Sequence, residues 1–418
     1  MGDDEDDRPR RGNLLFSGST EVEGHTEVEI HVIDALASLI DALPRVSLSS
    51  EPIRKPWDAG GNNHDGEGDS NGDSANTPAR KRMKPEQRFG INVDKMVDTA
   101  HAELCRAWKG PWLTARSMDK VHVRQDKIGS ETTPWADLEA AQSHDETGMI
   151  HKFVFNNSEQ EYDVDRVTLA PRSGFLITNL LRSQLQLPEG WIGVVEHARQ
   201  HPASLVLVDP PYPNMSASRL QQGKREAYRT VDDLYDLWKM VPAVETLIGQ
   251  DTLVGCWVTN HAKVQAFVLE KLFDAWKLQH LGQLVWVKVT SGDAAEGGGQ
   301  LVVPLQNRAG RKPYEILLLG RRRPSADENK GKEKGAMVHM VAGSVPLDHS
   351  RKPDVTGAYV LGPMLPKERP LNVYDIFGRT ALRGPVSNSA RDQKGVEGHT
   401  AGSFVSIGNQ ACLFNEIV

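Results

Sequence analysis

Cysteine is scarce in this chain of 418 residues: Cys105, Cys256 and Cys412 stand far apart, with no metal-ligand spacing between them. That excludes a disulfide framework and a cysteine-based zinc site, and it predicts a reducing, intracellular setting. Long apolar runs are missing as well. No stretch approaches the ~20 apolar residues a membrane helix needs, so no membrane partner is expected. The opening Met-Gly-Asp-Asp-Glu-Asp-Asp has neither the basic nor the apolar region of a secretory signal, so none is expected. Positive charge is not in excess either, the net charge being −7, whereas nucleic-acid binders usually carry a basic footprint. The acidity is local. Residues 1–90 hold 18 acidic and 11 basic residues and so account for it. The remainder is neutral, with room for basic patches such as Arg308–Lys312 and Arg321–Arg323.

Along the chain, four regions differ in composition. Residues 1–57 form an acidic N-terminal segment in which Glu27–Val32 alternates like a strand. Asp34–Leu43 repeats there like a short amphipathic helix ended by Pro44, suited to docking a protein partner. Residues 58–90 lose most bulky apolar side chains and read as a disordered linker. Its cluster Arg80–Lys84 has the form of a nuclear-import signal, which makes the nucleus the expected compartment and the cytoplasm the alternative. Residues 91–165 are a small accessory region opening with a helix from Ile91 that ends near Gly110-Pro111. From 166 to 418 strands alternate with helices: Gly174–Thr178, Leu205–Val208, Thr252–Thr259, Leu281–Val289, Tyr314–Leu319 and Leu371–Phe377 as strands, Val231–Leu247 and Ala262–Trp276 as helices. That alternation predicts an α/β fold with a doubly wound, mainly parallel sheet. The glycine-rich Ser291–Gly299 lacks the Lys-Ser/Thr ending of a phosphate loop and reads as a mobile loop.

One junction carries chemistry. Leu205-Val206-Leu207-Val208 is a fully apolar, partly β-branched run, and Asp209-Pro210-Pro211-Tyr212 follows it directly. A buried strand ending there reaches the carboxyl edge of the sheet, where open α/β sheets bind ligands. A carboxylate and a backbone carbonyl together can accept the two hydrogens of an exocyclic amine. The lone pair is then drawn out of ring conjugation and aimed at an electrophile. Proline fixes φ and presents its carbonyl rigidly, and Tyr212 offers a face on which a base can stack. The expected reaction is methylation of a nucleobase amine, with Asp209, Pro210, Pro211 and Tyr212 as the catalytic set.

Five stretches place this junction in company: Ala170–Phe175, Asp209–Tyr212, Trp257-Val258-Thr259-Asn260, Trp286-Val287-Lys288, and Lys312–Glu315 leading into Leu317–Gly320. Ser344-Val345-Pro346 with His349–Pro353, then Ile376–Arg379, and Gly408-Asn409-Gln410 follow. In this order and spacing the region from Leu169 to Val418 resembles the MT-A family of adenine-N6 methyltransferases, relatives of the messenger-RNA m6A writer, and within it the methyltransferase-like four branch. The resemblance implies a Rossmann-like methyltransferase fold with permuted motif order, the catalytic motif preceding the strand that ends at Phe377-Gly378. It implies S-adenosyl-L-methionine as methyl donor and no metal. By the same resemblance Lys352 meets the donor's carboxylate and Asp209 its ammonium. Thr178, Asn179 and Leu180 line its adenine, while Phe377, Arg379, Asn409 and Gln410 hold the ribose and methionine arm. Tyr212, Asn214, Lys288 and Glu315 fall around the substrate base. Tyr212 stands where many relatives carry Trp, and Ala390–Gly395 is inserted relative to the family.

The expected function is therefore N6-methylation of adenine in nucleic acid, single-stranded or flipped out of its stack. RNA of the small nuclear kind is the first expectation and adenine in DNA the alternative. A catalytically silent nucleic-acid-binding subunit, and methylation of cytosine N4 or a glutamine amide, stay open.

Overall fold

The structure, a computed structural model, describes residues 14–23, 26–35, 53–56, 90–113, 150–157, 160–168, 173–176, 178–181, 187, 190–213, 231–293, 295, 298–307, 311–323, 336–347, 352–356, 360–366, 369–378 and 402–408. In chain order these give β1 (Leu14–Val22), β2 (Thr26–Ile33), α1 (Val93–Ala107), β3 (Ile150–Asn157), β4 (Gln160–Thr168), β5 (Ser173–Leu176), α2 (Trp191–Gln200) and β6 (Leu205–Val208). A 3-10 turn at Leu234–Met240 then runs into α3 (Val241–Glu245). Next come β7 (Leu253–Val258), α4 (Ala262–Phe267) continued by a π turn at Val268–Leu272, β8 (Leu278–Lys288), β9 (Tyr314–Arg322), β10 (Val338–Ser344), β11 (Val373–Ile376) and β12 (Phe404–Ile407).

Ten of these strands form one sheet in the order β1-β2-β10-β8-β9-β7-β6-β11-β12-β5, while β3 and β4 pair as a separate hairpin. Within the ten-stranded sheet, all strand pairings are parallel except those of β9 with its two neighbours and of β1 with β2. The sheet is mainly parallel, as the alternation of strands and helices predicts. Its centre is buried on both faces. Along β6, Val206 and Val208 pack into one apolar layer and Leu205 and Leu207 into the other. This is the two-sided burial that a continuous apolar run signals. Strand β6 precedes β11 in the chain and pairs with it in parallel.

Two expectations need correction. Residues 1–57 read as a segment apart, but β1 and β2 belong to the main sheet, β2 pairing in parallel with β10. That pairing joins residues from opposite ends of the chain, which local periodicity cannot register. Helix α1 is built into the same body. Asn92 caps it by accepting from the Lys95 N–H at 3.1 Å, and Val93, Met96, Val97, Ala100 and Leu104 form its buried stripe. It packs on β1, β2, β10 and β8. The described part of the glycine-rich stretch, expected to be mobile, is held. The indole of Trp112, 2% exposed, fills a slot between Gly299 and Gly343. A Cβ at Gly343 would lie 2.8 Å from that ring and one at Gly299 2.5 Å from it. The Trp112 backbone N–H donates to the Gly292 carbonyl at 3.2 Å, and a ring nitrogen of His101 lies 2.7 Å from the Gly299 carbonyl. The expected docking helix beyond Ala35, the linker 58–89 and residues 324–335 lie outside the described residues.

Candidate active site

Four parallel strands, β5, β12, β11 and β6, end level with one another, and the residue after each of the last three is bonded to the last residue of its neighbour. Gly408 N–H donates to Leu176 O at 3.0 Å, Phe377 N–H to Ile407 O at 2.7 Å, and Asp209 N–H to Ile376 O at 3.0 Å. Thr178, Phe377 and Asp209 thus line one carboxyl edge of the sheet, where ligands of such folds bind. Phe377 sits there with φ +62°, a left-handed conformation uncommon outside glycine and costly enough to be held by its surroundings. Gly408, with φ +152°, lets the neighbouring turn pass close: a Cβ on it would lie 3.1 Å from the Phe377 Cα.

The Asp-Pro-Pro-Tyr turn is fixed by its own backbone. Tyr212 N–H donates to the Pro210 carbonyl at 2.9 Å, closing a three-residue turn, and Val231 N–H donates to the Pro211 carbonyl at 3.0 Å. A carbonyl has two lone pairs, so Pro210 O keeps one for an incoming donor. Tyr212 is 6% exposed and packs in the apolar layer of Val206 and Val208. Its hydroxyl donates to the Trp257 carbonyl at 2.9 Å and lies 3.5 Å from Cys256 Sγ. In this conformation the ring is a wall that clamps the turn to β7, and its face is not open for stacking. Burial pushes the Cys256 thiol up to about 12, which leaves it no nucleophile.

Asp209 points toward a charged row on the other face. Lys352 Nζ lies 3.5 Å from Asp209 Oδ2 and is paired with Glu315, and Glu315 is paired in turn with Lys288. Strand alternation builds the row. Trp286 and Lys288 stand two apart on β8, and Trp286 pairs with Glu315 across β9. Each lysine lies over an indole, Lys352 at 5.5 Å from the Trp257 centroid and Lys288 at 4.7 Å from that of Trp286. The two rings meet edge to face with centroids 6.2 Å apart, and the Trp286 N–H donates to Ser344 Oγ at 2.8 Å. Burial alone would push the Glu315 carboxyl up, but the two ammonium groups outweigh it and lower it to about 2. The sequence reading placed Lys288, Glu315 and Lys352 near the site without pairing them, and it did not assign Trp257 and Trp286. For Trp286 the signal was the Trp-x-Lys spacing on a strand, which puts ring and ammonium on one face; Trp257, whose lysine comes from a distant segment, had none.

At the other end of the edge, Thr178 is 1% exposed and its hydroxyl has no hydrogen-bond partner among the described residues. Asn179 Oδ1 accepts from the Leu181 N–H at 3.0 Å. Leu180 is buried in the core. Asn214, Arg379, Asn409 and Gln410 lie outside the described residues. The donor set suits an amino-acid-bearing nucleoside. There is an orphaned hydroxyl and an amide for a purine edge, and an ammonium and a carboxylate side by side for a zwitterion. S-adenosylmethionine fits these residues.

Residues 203–388 match the MT-A70 family. The chain is 32% identical over 185 residues to the N6-methyladenosine RNA methyltransferase MTA1 of Pyricularia oryzae, covering 43% of this chain and 44% of that protein. It is 29% identical over 153 residues to the N(6)-adenine-specific methyltransferase METTL4 of Mus musculus, covering 37% of this chain and 27% of that one. The chain thus spans less than half the length of these curated relatives. A crystal structure of an M1.HpyAVI-SAM complex aligns with 54% of this chain and 91% of its own at 11% identity, with a TM-score of 0.29.

Proposed function

We propose, from the match of residues 203–388 to the MT-A70 family, that this chain is an S-adenosylmethionine-dependent methyltransferase acting on N6 of adenine in RNA. The observation that carries the reading is the end of β6. There the Asp209 carboxylate immediately precedes a three-residue turn whose first carbonyl, that of Pro210, is rigid and has a spare lone pair, and an ammonium stands 3.5 Å from the carboxylate.

Asp209 and the Pro210 carbonyl accept the two N6 hydrogens, so the nitrogen lone pair leaves ring conjugation and turns toward the donor. Asp209 then takes the proton that N6 sheds on forming its new bond. When bound, S-adenosylmethionine supplies a methyl group made electrophilic by a sulfonium. Lys352 offers a charge-assisted bond to the methionine carboxylate. Thr178 and Asn179 hold the adenine end, and Phe377 flanks the ribose. Glu315 keeps both lysines oriented and nearly neutralises the row, so the site attracts a zwitterion without trapping it. Positioning and fixed charges do the work.

RNA is preferred to DNA because the fungal relative is named for RNA methylation. The basic cluster Arg80–Lys84 supports a nuclear place of action. A silent subunit is disfavoured, since Asp209 and Lys352 are both present and adjacent. Transfer of labelled methyl to RNA and DNA oligonucleotides, with the modified nucleoside identified after digestion, tests the reading. Label in N6-methyladenosine supports it, and RNA binding with no transfer favours the silent subunit.

A further inference from the structure

Outside the segment shared with the family, one side chain reaches the residues that hold the active-site charges. Asp94 lies in the first turn of α1, and its two carboxylate oxygens have different partners. Oδ1 accepts from the Tyr314 hydroxyl at 2.8 Å, and Oδ2 from Lys312 Nζ at 2.6 Å. Lys312 also donates to the Leu305 carbonyl at 3.2 Å. Tyr314 opens β9, and the next residue is Glu315.

Successive residues of a strand face opposite sides. Tyr314 belongs to the apolar layer on one face, while Glu315 projects to the other and pairs with Lys288 and Lys352. Anchoring the Tyr314 ring therefore fixes the height and register of the Glu315 carboxylate across the sheet. The backbone is pinned at the same point. Asn260 Nδ2 donates to the Tyr314 carbonyl at 2.8 Å, and Lys288 N–H to the Pro313 carbonyl at 2.7 Å. On the far side α1 is locked by its buried stripe and by Trp112 between Gly299 and Gly343.

We infer that Asp94 and Tyr314 are positioning residues: the N-terminal helix, through the Asp94–Tyr314 hydrogen bond, sets Glu315 and hence the Lys352 ammonium that receives the donor's carboxylate. The inference rests on the proposed function and extends it, making the N-terminal region part of the donor site. Burial, then the bond to Asp94, pushes the Tyr314 phenol well above its ordinary range, so it stays a donor at every working pH.

The test uses the full chain with Asp94→Ala, Tyr314→Phe and the double variant, titrating S-adenosylmethionine by calorimetry and following the melting temperature of each. Each single variant is expected to weaken donor binding by about fivefold, the size of one hydrogen bond. The double variant should be no worse than Asp94→Ala, because both singles break the same Tyr314–Asp94 bond, and the partly exposed Lys312–Asp94 pair that Asp94→Ala also removes adds little. Asp94→Asn, which keeps an acceptor for the phenol, should recover most of the loss. A purely structural role would lower the melting temperature and leave the affinity of the folded protein unchanged, and that result overturns the inference. So does a double variant whose loss is the product of the singles. A wild type that binds no S-adenosylmethionine overturns the functional reading and this inference together, whereas binding with uncoupled variants overturns the inference alone.

Discussion

Replacing Glu315 by Gln removes the carboxylate that holds Lys288 and Lys352, each only 16% exposed on its side chain. Breaking a buried ion pair from one side costs about 3–5 kcal/mol, because the partner charge stays in place uncompensated. Two features soften this. Asp209 remains 3.5 Å from Lys352, and both lysines keep an indole face. An independent route gives a similar figure. Glu315 is lowered from 4.5 to about 2, and at 1.36 kcal/mol per unit that shift is worth at most about 3 kcal/mol. The sign follows from the direction of the shift. Stability from this group is fully present above the unfolded value and is lost as pH falls through the folded one. Denaturant unfolding of wild type and Glu315→Gln, followed by tryptophan fluorescence, should show a loss of about 2–3 kcal/mol at pH 7 that shrinks to about half at pH 3. A difference below about 0.5 kcal/mol, or one that does not change between pH 7 and pH 3, would refute the reasoning about the charged row.

Thr178→Val removes a buried hydroxyl that has no partner among the described residues. Stability should hold or rise by up to about 1 kcal/mol while affinity for S-adenosylmethionine falls in calorimetry; unchanged affinity would show that the hydroxyl serves no ligand. Tyr212→Phe loses the bond to the Trp257 carbonyl, so a destabilisation of about 1–3 kcal/mol is expected in unfolding curves, with methyl transfer largely retained because the ring is kept. Gly343→Ala places a Cβ 2.8 Å from the Trp112 ring. Overpacking there should cost about 1–3 kcal/mol and raise hydrogen exchange in α1 before the sheet.

The central strand of the site was legible because its chemistry and its burial coincide. Leu205–Val208 is apolar at every position and buried at every position, and the prolines that stop it also build the turn. Strand β10 was not legible, although it is as deeply buried. Its sequence Val-His-Met-Val-Ala-Gly-Ser mixes polar and small residues, since Gly343 must admit Trp112 and Ser344 must accept from Trp286. Four-residue β12 carries Ser406 among apolar neighbours and gave no clear period. Helix α1 was readable from its stripe, but its place on the sheet was not, because Asp94 reads locally as an ordinary acid in a first helical turn. The same holds for Tyr212. Sequence supplied an aromatic beside a catalytic acid, and only the hydroxyl's reach to β7 shows the ring turned into the wall of the site.

The account's central claim is that Asp209 acts on the N6 amine. Label transfer from S-adenosylmethionine to adenine-containing RNA, measured for the wild type and for Asp209→Asn with donor binding monitored in parallel, tests it most directly. Asparagine presents an NH₂ where an acceptor is needed, so the rate should fall by about 100-fold or more, the scale of removing one preorganised polar group, with label found only at N6 in the wild type. Equal rates for the two proteins, or label at another atom of the base, would contradict it.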